Sequence, residues 1–159
     1  MILRAARAGD ASALAALWNP WIETTAITFT TALKTREGLA GDIAARGDAF
    51  LVAEAEGALL GFATFFPFRS GPGYAHTKEH TVILTPEARG RGVGRALMMA
   101  LEDVARGQRV HSLFAGVSAE NPAGVVFHAA IGFTEVARLP QVGYKFGRWM
   151  DLVLMQKFV

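Results

Sequence analysis

The sequence predicts an α+β fold, a three-layer α/β/α sandwich around one mixed, mainly antiparallel sheet. A hairpin signal stands at residues 50–66, a strand–turn–helix–strand run follows from about 79 to 117, and extended segments close the chain. Hairpins give antiparallel pairs, a strand–helix–strand crossover gives a parallel pair, and helices then cover the sheet faces. No repeat, low-complexity stretch or linker interrupts the 159 residues, so one domain spanning 1–159 is expected.

The elements follow from local chemistry. Residues 2–4 form a short first strand. Asp10 is a suitable N-cap for a helix over 11–18 with Leu14, Leu17 and Trp18 on its buried side, and Pro20 should end it. Residues 21–31, aromatic and β-branched, suggest a short helix and then an extended segment. Thr35 caps a helix over about 36–45 that Gly47 stops. Strands at 50–55 and 59–66 join through Glu56-Gly57, a hairpin turn. Residues 67–73 are a loop carrying Arg69. A strand around 79–84 leads through a glycine-rich turn into a helix to about 106, ended by Gly107, and 111–117 reads as a buried strand. Asn121 and Pro122 open the last helix as N-cap and first residue, and Gly132 ends it. Residues 133–137 and 142–158 are extended, with a turn at Gly147.

Composition excludes several classes. An apolar fraction of 52% against 19% charged residues describes a packed globular chain rather than a disordered one. A formal charge of +2 is too small to argue for nucleic acid, and none is expected as a partner. Without cysteine there is no disulfide, no thiolate nucleophile and no cysteine-bound metal. His76, His80 and His111 lack metal-ligand spacing with carboxylates and read as surface or packing residues, so no metal is expected. No apolar run approaches the ~20 residues that span a bilayer. The chain starts on a strand-like run without a signal-peptide core, so a cytoplasmic protein is expected.

The most specific feature is Arg89-Gly90-Arg91-Gly92-Val93-Gly94-Arg95. Glycines let backbone N–H groups converge at a helix N-terminus, where dipole and unpaired donors favour phosphate, and three arginines suit more than one phosphate charge. The lysine and hydroxyl of an ATP-binding loop are missing, and the spacing of Gly90, Gly92 and Gly94 does not fit the dinucleotide fingerprint. What fits is Arg/Gln-x-x-Gly-x-Gly/Ala, met by Arg89, Gly92 and Gly94. That pattern resembles the pyrophosphate loop of the GNAT superfamily, which transfers acyl groups from acyl-CoA to amines. The segment from Asn121 to Phe133 resembles the superfamily's Asn-x-x-small-x-x-x-Tyr/His-x-x-x-Gly-Phe helix, and Asn121, Gly124, Val125 and His128 share one helical face.

Four further segments resemble the phosphinothricin and methionine sulfoximine (methionine sulfone) acetyltransferases. They are Ile22-Glu23-Thr24-Thr25, Glu79-His80-Thr81-Val82, Phe127-His128 and Gly143-Tyr144-Lys145-x-Gly147-x-Trp149-x-Asp151, spread over about four-fifths of the chain. The resemblance implies a GNAT-like fold, acetyl-CoA as co-substrate, acetylation of the α-amine of a small amino-acid-like substrate, and a homodimer. It implies Glu79 and His128 as a catalytic pair, backbone contacts to acetyl-CoA from Val82, Ile83 and Leu84, and the pyrophosphate on Gly90–Arg95. Asn121 would touch the coenzyme.

The chemistry needs such parts. An amine is mostly protonated at neutral pH, and a base such as Glu79, directly or through water, must free its lone pair. A backbone N–H of the 82–84 strand suits the charge that develops on the thioester oxygen. His128 reads either as the group that serves the departing thiolate or as a hydrogen-bonded core histidine. Arg69 can pair with a substrate carboxylate, and Phe29 and Tyr74 are candidate pocket walls. Some relatives acting on methionine sulfone carry an arginine after the aromatic that matches Tyr74; Ala75 stands there in this chain. Two readings remain: an active N-acetyltransferase for a small amine, a protein N-terminus included, or an acyl-CoA-binding module without turnover.

Overall fold

The computed structural model describes residues 1–159. Seven strands, β1 (Ile2–Ala5), β2 (Phe50–Ala55), β3 (Ala58–Pro67), β4 (Thr77–Leu84), β5 (Ser112–Ser118), β6 (Thr134–Lys145) and β7 (Arg148–Phe158), form one sheet in the order β1-β2-β3-β4-β5-β7-β6. Every neighbouring pair is antiparallel except β4–β5. Helices α1 (Ala11–Thr24) and α2 (Arg36–Arg46) cover one face, while α3 (Val93–Gly107) and α4 (Pro122–Ala130) cover the other.

Strand alternation divides the core in two. Leu51, Ala53, Ala63 and Phe65 join Leu97, Met98 and Leu101 of α3. Phe50, Val52 and Phe62 point the other way, onto Leu14, Trp18 and Ile22 of α1 and Leu39 and Ile43 of α2. Each fully buried Leu or Phe contributes about 1.5–3 kcal/mol relative to exposure. Helices α2, α3 and α4 lie where the apolar spacing and caps place them, and Thr35 accepts from Gly38 N as a cap should.

Two local expectations fail. Pro20 does not end α1, which runs on to Thr24. Trp18 and Ile22 are buried on either side of the proline, and Trp21 Nε1 donates to the Leu84 carbonyl at 3.2 Å, so tertiary contacts hold the turn that proline weakens. Asp10 does not cap α1 with its side chain. Its carboxylate takes Arg4 Nη1 and Nη2 at 2.8 and 3.0 Å and Arg7 N at 2.7 Å, and these bonds hold its pKa below the usual range.

The parallel seam is short. Thr77–His80 pair with Ser112–Ala115, and beyond that point the two strands share no further register. β4 nevertheless stays paired with β3 as far as Leu84, and β5 with β7 as far as Ser118. The sheet therefore opens between β4 and β5 at their C-terminal ends. A cleft at that place receives backbone from one strand and helix termini from the next.

One buried ion cluster ties the far side together. Glu102 of α3 accepts Lys157 Nζ at 2.8 Å on both oxygens, and the same ammonium donates to the Ile131 carbonyl at 2.8 Å, behind α4. Glu102→Ala should lower the unfolding free energy by about 1–3 kcal/mol in urea denaturation, because it leaves the partly buried Lys157 ammonium with the Ile131 carbonyl as its remaining partner. Breaking the exposed Arg138–Glu135 pair should cost under about 1 kcal/mol.

Candidate active site

The glycine turn ends one wall of the opening. Gly90 and Gly92 have φ of 72° and 79°, a region that a side chain strains, and Gly92 begins α3 with no side-chain cap. The helical ladder starts at Ala96 N to Gly92 O, so the N–H groups of Val93, Gly94 and Arg95 are left for a ligand. The Arg89 guanidinium lies over the Trp21 ring at 4.4 Å, and Arg95 reaches the Ala130 carbonyl at 3.4 Å. A Cβ on Gly94 would stand 3.3 Å from Phe127, so this glycine lets α3 approach α4 closely.

Two cavities meet at the opening. One, of about 460 Å³, runs along Leu84, Arg89, Gly90, Gly92, Val93, Gly94 and Arg95 to Phe127 and Ile131. The other, about 230 Å³, is lined by Trp18, Thr28, Phe29, Glu79, Gly116 and Leu152, among others. Ile27, Val82, Ile83, Asn121 and His128 belong to both, which makes one continuous channel along β4. Asn121 caps α4 through Oδ1 to Gly124 N at 3.1 Å. Anion-binding donors at one end and a small pocket at the other, joined by a strand edge without a partner, fit a long ligand with a diphosphate at one end.

Glu79 stands in the small cavity. It pairs in register with Phe66 and Phe114, and a Cβ on Gly116 would lie 3.8 Å from its Oε2. Burial alone pushes its pKa up, since no charge or hydrogen bond offsets the desolvation. A carboxyl with its pKa raised toward neutrality is suited to exchange a proton there.

His128 arrives from the opposite face with a partner that sequence reading assigned to surface or packing. His80 is 6% exposed, and its Nε2 is 3.0 Å from His128 Nε2. His128 Nδ1 is 2.7 Å from the Gly124 carbonyl, which accepts only, so that nitrogen carries the hydrogen. In the neutral pair the inter-ring hydrogen then sits on His80 Nε2, and His80 Nδ1 is the bare nitrogen. His80 Nδ1 is also a buried atom without a hydrogen-bond partner. Burial lowers both pKa values, that of His80 to about 3, with the His128 ring adding to the effect and the Phe114 carbonyl opposing it.

Of the expected site residues, Val82, Ile83, Leu84, Arg89, Gly90, Gly92, Val93, Gly94, Arg95, Asn121, Glu79, His128 and Phe29 line this channel. Arg91 does not line it. Neither do Arg69 and Tyr74, which surround Phe68 where it stacks on Phe114 at 4.6 Å. Their loop folds over β5 beside the cavity rather than into its wall. Sequence reading missed Thr28, Gly116 and Leu152, because nothing local marks which residues of a distant loop or strand meet at a seam. No group of three or more His, Cys, Asp or Glu side chains is arranged to hold a metal ion, and no helix is long and apolar enough to cross a membrane.

Residues 14–133 match the model of the acetyltransferase (GNAT) family, and the chain belongs to that family. It is an acetyltransferase. It is 38% identical to the L-amino acid N-acyltransferase MnaT of Escherichia coli (strain K12), with 98% of this chain and 92% of that protein covered. It is equally 38% identical to the L-methionine sulfoximine/L-methionine sulfone acetyltransferase of Salmonella typhimurium, with 98% and 93% covered. The phosphinothricin N-acetyltransferase of Alcaligenes faecalis is 43% identical over 68% of this chain and 55% of its own. Among solved structures, a ribosomal-protein-alanine N-acetyltransferase from Brucella melitensis has a TM-score of 0.94 at 40% identity, with both chains fully covered. YncA of Salmonella typhimurium, solved with its cofactor acetyl-CoA, has a TM-score of 0.94 at 36% identity, with 99% and 93% covered.

The histidine pair predicts an acid sensitivity. His80 takes up a proton at about 3 when folded against an ordinary 6.5, so the unfolded chain binds more protons between those values. Stability should be full above about 6.5 and fall as the pH drops, by up to about 1.4 kcal/mol per pH unit for each histidine that must charge. Urea denaturation at a series of pH values checks this, and His80→Gln should flatten the slope.

Proposed function

We propose that the enzyme transfers the acetyl group of acetyl-CoA to the α-amine of a small amino-acid-like substrate. The methionine sulfoximine, methionine sulfone or phosphinothricin type is the class intended, and Glu79 is the general base. The observation that carries this reading is the desolvated, unpaired Glu79 carboxylate in a cavity of about 230 Å³ that continues along β4 to the glycine turn. That volume suits one amino acid. The names of the Escherichia coli and Salmonella relatives support the same substrate class.

The residues divide the work. The N–H groups of Val93, Gly94 and Arg95 hold the diphosphate, aided by Arg89, Gly90, Arg91 and Gly92. Val82, Ile83 and Leu84 offer backbone to the pantetheine arm, and Asn121 stands beside it. Bound acetyl-CoA supplies a thioester carbonyl, and a backbone N–H of the 82–84 segment is suited to the charge that develops on its oxygen. Glu79 takes one proton from the ammonium, freeing the lone pair for direct attack. The proton that nitrogen sheds as the amide forms balances the departing thiolate. Neutral His128 has its N–H on Gly124 and its lone pair on His80, so we assign it to holding α4 against β4 beside the base. Arg69, on the loop that packs over β5 beside the cavity, carries a charge that suits a substrate carboxylate. Use of acetyl-CoA suits a cytoplasmic setting.

Glu79→Gln should lower kcat by about 10²–10⁴-fold while acetyl-CoA binding stays unchanged, read by thiol release and by equilibrium binding. The wild-type rate should fall as the pH drops through a carboxyl pKa above the usual range. A rate equal to wild type in Glu79→Gln would remove the base role. Transfer to an alanine-ended peptide but to none of the three amino-acid analogues would favour a protein N-terminus instead.

We also propose a homodimer through the end of β6 and β7. Val142 and Tyr144 on the edge strand β6, Phe146 in the turn that follows and Trp149 on β7 are each more than half exposed there. Trp149→Glu should shift the sedimentation velocity from dimer to monomer.

A further inference from the structure

Lys145 has no part in the scheme above, yet it is 2% exposed and forms no ion pair. Its Nζ donates to the carbonyls of Thr25 and Thr28 at 2.7 and 2.8 Å. Burial lowers its pKa, and the ring of Phe146 lies 5.1 Å away. A buried ammonium bonded only to backbone carbonyls is uncommon, since desolvation is offset by dipoles rather than by a charge. What those carbonyls belong to gives the reason.

Residues 25–35, between α1 and α2, contain no helix or strand. Ile27, Thr28 and Phe29 of this segment nevertheless line the acceptor cavity opposite Glu79. Backbone without a ladder of its own needs outside partners if it is to form a fixed wall. Asn19 serves the far end through Lys34 N and O at 2.8 and 3.0 Å. Lys145 serves the cavity end. Gly143, two residues earlier on β6 and therefore on the same side of the strand, meets the same segment. A Cβ there would lie 2.5 Å from Phe29 Cδ2, so the phenyl ring rests directly on the Gly143 backbone. β6 thus grips the segment at two points, a cation under Thr25 and Thr28 and a bare backbone under Phe29.

We propose that Lys145 and Gly143 are specificity-determining positioning residues, which fix the 25–29 wall and so decide which amino-acid side chain the acceptor cavity admits. Of the segment they hold, Thr28 and Phe29 line the acceptor cavity alone and Ile27 borders both, so their influence falls mainly on the acceptor rather than on acetyl-CoA. The inference rests on the reading of the Glu79 cavity as the acceptor site.

The test is steady-state kinetics of Lys145→Met, Lys145→Arg and Gly143→Ala with methionine sulfone, methionine sulfoximine, phosphinothricin and ordinary amino acids, beside equilibrium binding of acetyl-CoA. Lys145→Met should raise the acceptor KM about tenfold or more, since misplacement near 1 Å costs rates on the order of a hundredfold. It should also narrow the spread of kcat/KM across the acceptors, with acetyl-CoA affinity within about twofold of wild type. Lys145→Arg should restore part of the acceptor KM. Gly143→Ala, which keeps the lysine, should raise it through Phe29 alone and keeps the proposal testable if Lys145→Met does not fold. An unchanged acceptor KM and acceptor ranking in Gly143→Ala, or equal losses for acceptor and acetyl-CoA in Lys145→Met, would overturn it. If wild type acetylates none of these amino acids, the reading of the cavity fails first, a result separate from either.

Discussion

The structure turns on the early parting of β4 and β5. They share four register pairs and then diverge, while β3 and β7 keep hold of them on either side. The only parallel contact in the sheet is thus also the seam that opens. Because it opens inside the sheet, it exposes strand backbone that elsewhere would be paired. It also lets side chains from both faces look into one space, Glu79 from the side of α1 and His128 from the side of α4.

Several unrelated contacts keep the opening from closing or spreading. Gly61 lets β3 lie against the free end of β4, since a Cβ there would stand 2.7 Å from the Ile83 carbonyl. Trp21 holds the Leu84 carbonyl from α1, a role that explains why α1 continues past Pro20. Across the gap, Gly94 admits Phe127 so that α3 and α4 meet over the channel, and the His80–His128 bond ties α4 to β4. Each of these is a close approach or a directional bond, and none would be replaced by simple apolar bulk.

What the sequence made legible was whatever is local. Thr35, Asn121 with Pro122, Glu56-Gly57 and the glycines at 90, 92 and 94 act within a few residues of themselves, so their effects appear in the chain as written. Pro20 and Asp10 misled because distant partners, Leu84 for the helix around the one and Arg4 for the other, outweighed local rules. Arg69 and Tyr74 were drawn toward the pocket by their nearness to Glu79 in sequence. The loop instead stacks Phe68 on Phe114. His80 and Lys145 stand in segments that carry the family resemblance, but neither gave a sign of the partner it meets. Alternation along β4 turns His80 away from Glu79, and a lysine at a strand end reads as solvent-facing until the 25–29 segment is folded over it.

The charges along the channel are arranged by where water is excluded. The arginines stand at the glycine turn, where backbone donors already favour an anion. At the other end Glu79 is the ionisable group of the cavity with its pKa pushed up, and it keeps that shift only while no cation stands near it. A charged imidazole at His128, which borders the same cavity, would pull the carboxyl back toward its ordinary value and weaken it as a base. Burial prevents this, because desolvation and the shared hydrogen keep both histidines neutral. The neutral pair is therefore an electrostatic condition for the base as well as a mechanical tie between α4 and β4.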